Sequence, residues 1–182
     1  MLRQTAALAL VLSALVSPTA FADDKPAEKP LISTGRFELN LGGAELVLAA
    51  AQKKAAAMNV KVNIAIVDNG GHLLTFARMD GARPASGYTA MTKAISAATF
   101  RQESGTVPPN AEPDVLLNLS LQNAAAASGA KVTTLKGGVP IVIEGQVIGA
   151  VGVGGATGAQ DAEVAKAGID ALYRELGTKR PE

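Results

Sequence analysis

The chain has 182 residues, with 17 Lys or Arg against 16 Asp or Glu, one histidine and no cysteine. Balanced charge gives no strong field to draw in nucleic acid or an anionic membrane surface. The lack of cysteine excludes disulfides, iron–sulfur clusters and thiolate-ligated metals. Many alanines and glycines with only 3% aromatic residues point to thin, close-packed elements, which suits a homo-oligomer.

The chain opens with Arg3, an apolar run from Thr5 to Val16, a break at Pro18, and the small-residue pattern Ala20-Phe21-Ala22 before Asp23. This is the pattern of a secretory signal peptide over residues 1–22. The apolar run is short of the about 20 residues that a spanning helix needs. A periplasmic or secreted protein is expected, with no membrane attachment after signal removal. Residues 23–36 begin with the charged, proline-bearing DDKPAEKP and are expected to be a flexible lead, and residues 37–182 to be a single domain.

Phe37 to Leu41 reads as a short strand or as the lead into a helix reaching about Met58, where Asn59 makes a turn. Lys61 to Arg78 reads as a hairpin: Ile64 to Val67 going out, Asp68-Asn69-Gly70-Gly71 turning, and Leu73 to Ala77 returning. Turn residues crowd Asp80 to Pro84, and Ser86 is the expected N-cap of a helix from Tyr88 to Arg101. Gly105 to Pro113 excludes regular helix. Asp114 caps a further helix ending at Ser128-Gly129. Val132 to Thr134, Val139 to Ile143 and Val147 to Val153 read as strands, and Thr157 to Gln160 fits a capping box that opens the last helix. Hairpins flanked by helices, without regular βαβ alternation, predict an α+β domain with a mainly antiparallel sheet.

Four segments occur in order: VDNGGHLLTFARMDGA, KAISAATFR, GGVPI, and VIGAVGVGG followed by QDAEVAKAG. Over roughly Leu39 to Leu176 the chain closely resembles the GlcG/HbpS-like family, whose characterised members include secreted haem-binding proteins. The resemblance implies a profilin-like three-layer α/β/α arrangement around a five-stranded antiparallel sheet, with haem as the expected cofactor.

His72, the sole imidazole, is the expected metal ligand for haem iron, although a histidine after a glycine turn also serves simply to tie a loop. With one histidine per chain, bis-histidine ligation requires a subunit interface. Within a chain the other donors are Met58, Met79, Met91, Tyr88, Tyr173 or a lysine. Arg78, Arg83 and Arg101 are candidates for anionic groups such as propionates, because a guanidinium forks onto a carboxylate. Asp80 joins them through the ARMDGA segment.

The glycine-rich face of Val147 to Gly154 implies close approach of a packed helix or a flat ligand. The following helix N-terminus favours an anion but is neither a Walker loop nor a dinucleotide turn. No Ser-His-Asp order, HExxH or EF-hand loop is present, so no catalytic residue is assigned. The leading reading is an exported haem-binding protein for scavenging, storage or sensing. The rivals are a haem-degrading or haem-dependent redox enzyme, and an interaction module for a sensor protein or another small molecule.

Overall fold

The computed structural model describes residues 34–109, 111–129 and 131–179. The expected signal peptide and most of the lead lie outside the described residues. In the unit Gly35–Glu182, the elements run α1 (Leu41–Ala57), β1 (Asn63–Asp68), β2 (Leu73–Arg78), α2 (Ser86–Phe100), α3 (Val115–Ser128), β3 (Gly138–Ile143), β4 (Gln146–Gly154) and α4 (Gly158–Glu175).

The strands pair in the order β2-β1-β4-β3, each pair antiparallel. Among the described residues the sheet therefore has four strands, not the five expected. The missing one is Val132 to Thr134, which is irregular. Its Thr133 N–H donates to Ser96 Oγ on α2 at 2.7 Å, so a side chain takes the place of a strand partner.

Helices cover both faces. On one, Val47 and Ala51 of α1 and Val164 and Ile169 of α4 pack with Ile64, Ile66, Ile141, Val151 and Val153. Gly168 lets α4 approach α1, since a Cβ there would lie 2.7 Å from the Val47 carbonyl. On the other face the contact is nearly all alanine: Ala90, Ala94, Ala97 and Ala98 of α2 lie against Ala65, Val67 and Ala150. A Cβ at Gly152 would run into the backbone of Ala90 and Ala94, so the bare face of β4 is explained by a packed helix.

Local signals set most of the boundaries. Asn40 accepts the Gly43 N–H at 2.8 Å, Asp114 accepts that of Leu117 at 2.9 Å, and Thr157 with Gln160 forms the expected capping box. Ser86 is not the N-cap of α2: it is the first helical residue, and Ala85 precedes it without a side-chain cap. Tandem turns replace the cap, as the N–H groups of Ser86 and Gly87 donate to the carbonyls of Arg83 and Pro84.

Candidate functional site

β1 and β2 lie side by side, and α2 crosses above them with its N-terminal turn beside Asn63 and its C-terminal turns beside Gly71, where a Cβ would touch Ile95 and Thr99. Cross-strand pairing places Asn63 opposite Arg78 and Ala65 opposite Phe76. Directly opposed residues share a face, so Arg78 and Phe76 stand on the side that α2 covers. β2 is an edge strand, and α2 does not fully roof it. The result is an open cavity of about 760 Å3 lined by Asn63, Phe76, Arg78, Pro84, Ala85, Gly87, Tyr88 and Met91.

The walls are apolar and aromatic, with a guanidinium on the rim. Tyr88 is 78% exposed and Phe76 39%. Gly87 keeps the inner wall low: a Cβ there would be 3.3 Å from Phe76 Cζ and 3.6 Å from Asn63 Oδ1. Asn63 is fully buried. Its Nδ2 donates to the Arg83 carbonyl at 3.0 Å and the Gly154 carbonyl at 3.4 Å, while its Oδ1 has no partner among the described residues.

The predicted site residues do not converge. Arg78 and Tyr88 share this cavity. Asp80 lies on a different hollow with Lys61, Asn59 and the other side of Arg78. Arg83 donates from Nη2 to the Gly155 carbonyl at 3.2 Å and borders a separate cavity of about 400 Å3 with Lys93, Lys136 and Asp161. Arg101, in left-handed conformation after α2, faces Arg36, Phe37 and Asn69.

His72 sits at the hairpin tip, 84% exposed. Its Nδ1 is 3.1 Å from Asp68 Oδ2, and its backbone N–H donates to Asp68 Oδ1 at 2.8 Å. The Asp68 carboxyl is held below its usual range: burial pushes it up, but the hydrogen bonds from the His72 and Gly70 backbone and the His72 ring outweigh this. A ring tied at Nδ1 to a carboxylate presents Nε2 as its ligand atom. It does so far from the cavity, since the length of β1 separates the tip from Asn63 by roughly 17 Å at a strand rise of about 3.3 Å. Among the described residues, no group of three His, Cys, Asp or Glu is placed to hold a metal ion.

Three residues with a structural part are absent from the sequence-based expectations. Asn63 has one local signal, as a lone amide opening the apolar run Ile64 to Val67 of the strand NIAIVD. Lys93, inside one helix, and Asp161, in the first turn of another, carry no local signal of their pairing; they form a buried ion pair at 2.7 Å. Lys93 Nζ also donates to the Val153 carbonyl at 2.8 Å, and Asp161 Oδ1 accepts the Ala156 N–H at 3.1 Å. This joint fastens α2 to the start of α4.

Comparison with known proteins bears on what such a site holds. Residues 39–170 match the family described as haem degrading protein HbpS-like. Protein GlcG of Escherichia coli is 43% identical over 110 residues, 60% of this chain and 76% of its own. The structure of HbpS from Streptomyces reticuli, a double mutant, superposes with a TM-score of 0.61 at 28% identity, covering 79% of this chain and 97% of that one. PduOC, solved as a haem complex, superposes with a TM-score of 0.62 at 27% identity, covering 74% and 95% respectively.

Proposed function

This chain belongs to the HbpS-like family, and from that premise we propose that it is an exported haem-binding protein, acting in haem scavenging, storage or sensing, with its haem in the cavity between β2 and α2. The observation that carries the reading is the makeup of that cavity: Phe76, Tyr88 and Met91 offer an apolar bed for a flat macrocycle, and Arg78 a forked donor for a propionate. Bound haem would supply an iron centre there. Tyr88 is the oxygen donor on the wall, and a tyrosine ligand suits ferric haem.

The Asp68-tied imidazole favours a second placement, in which His72 meets haem at the hairpin tip with help from another copy of the chain. Homo-oligomerisation is part of both versions. α3 presents exposed Val115, Leu116, Leu117 and Leu119, apolar positions that a second copy would cover. Light scattering across a concentration series would report the assembly.

Haemin titration followed through the Soret band tests the reading and separates its versions. Saturable binding is expected in the parent, with affinity falling about tenfold or more and the band moving in Tyr88→Phe, and with little change in His72→Ala. Loss of binding in His72→Ala alone would move the haem to the tip. No saturable binding in the parent would end the haem reading.

A further inference from the structure

The unpaired oxygen of Asn63 points beyond a porphyrin. Both hydrogen bonds of its amide run from Nδ2 to carbonyl oxygens, those of Arg83 and Gly154. Reversing the amide would set its oxygen against two acceptors, so Oδ1 is fixed as the atom left over. It is the one buried side-chain polar atom without a partner among the described residues, and its residue lines the 760 Å3 cavity. Buried polar atoms are nearly always paired, so such an orphan on a residue that lines a cavity marks where a ligand's donor belongs.

Metallated porphyrin has no N–H or O–H on its ring, and ionised propionates only accept. Haem therefore leaves Oδ1 unmatched. The neighbouring groups narrow the alternative. Arg78 is the cross-strand partner of Asn63 and offers donors only, which calls for a carboxylate. Because opposed residues sit side by side on one face, the ligand's donor and carboxylate must be close together. Phe76, Tyr88 and Met91 complete the cavity with apolar surface.

We infer that this cavity is a binding site for 2-hydroxy carboxylates with an apolar side chain: Asn63 Oδ1 accepts the hydroxyl hydrogen, Arg78 holds the carboxylate, and the Phe76, Tyr88 and Met91 side chains cover the remainder. This goes beyond the haem reading and stands whether or not haemin binds. Gly87 is part of the selection: a methyl there would press on Phe76 Cζ at 3.3 Å and stand in contact with Oδ1 at 3.6 Å, in the space a ligand's hydroxyl needs.

The test is calorimetric titration of the full chain with 3-phenyllactate and 3-phenylpropionate, which differ only in the hydroxyl. The parent is expected to bind phenyllactate saturably and about tenfold or more tighter than phenylpropionate, because a buried acceptor regains its bond only with the first. Gly87→Ala keeps both Asn63 Nδ2 bonds and favours the helix; it is expected to bring the ratio close to one. Arg78→Gln is expected to weaken both acids alike. Equal affinities in the parent, no saturable binding of either acid, or a preference that survives Gly87→Ala would each overturn the inference. Heat of binding is read without haemin, so failure here and failure of the haem reading are separate results.

Discussion

The two ends of the β1–β2 hairpin solve the same problem, a polar residue at a strand terminus, in opposite ways. At the tip, Asp68 takes hydrogen bonds from the N–H groups of Gly70 and His72 and from the His72 ring, all within four residues along the chain. At the base, Asn63 takes its partners from Arg83 and Gly154, 20 and 91 residues away, and still has an acceptor to spare. A polar group satisfied by its own turn is doing the work of a loop. One buried at the meeting point of three elements with an atom unmatched is waiting for something the chain does not contain. The tip holds the residue most conspicuous in sequence, and the base holds the more telling geometry.

The buried Lys93–Asp161 pair supplies the contrast in its fullest form, because it is buried like Asn63 and satisfied like Asp68. Lys93→Met should be the most damaging change, costing about 3–5 kcal/mol in urea unfolding, since it strands a carboxylate in the interior. A loss under about 1 kcal/mol would mean that Asp161 finds other partners, and that satisfaction is a poor guide to structural weight here. Asn63→Ala should come next, at about 2 kcal/mol, because it deprives two carbonyls of a donor while also removing the unpaired oxygen. Asp68→Ala, at the exposed tip, should cost only about 1 kcal/mol. If Asn63→Ala proved no worse than Asp68→Ala, the base would lose its claim to be the joint between β1, β4 and the approach to α2.

Sequence carried the elements further than it carried the site. Caps, turns and alternation are written in neighbouring residues, so the helix ends at Asp114, Gly129 and Thr157 and the Asp68–Gly71 turn fall where local chemistry puts them. The sheet lost its expected fifth strand because a distant group, the Ser96 hydroxyl, captured the backbone of Thr133. The same logic explains the site. Arg78 and Tyr88 are ten residues apart and both stand out in the sequence, yet what joins them is the register of β2 against β1 and the docking of α2 on an alanine face. Asn63 does not stand out in the sequence because an amide's worth depends on which of its atoms find partners, and those partners come from far along the chain. His72 drew attention by being the sole imidazole, a property of composition that says nothing of whether a cavity lies beside it.

The smallest effect tests the tip itself. His72→Ala removes one exposed ring from Asp68 and should change stability at neutral pH by no more than about 0.5 kcal/mol. Its trace should appear in acid. The folded-state Asp68 carboxyl lies below the ordinary value of 3.8, so its contribution is complete above that value and is lost as pH falls through the folded one. The backbone donors of Gly70 and His72 survive the substitution, whereas the ring's hydrogen bond and its coulombic attraction do not. The Asp68 carboxyl should therefore titrate at higher pH in His72→Ala, and stability should begin to fall sooner on acidification. Carbon-13 shifts of the Asp68 carboxyl report this directly. An unchanged titration would show that the backbone alone sets the turn and that Asp68 does not orient the imidazole, which would remove the support for placing haem at the tip.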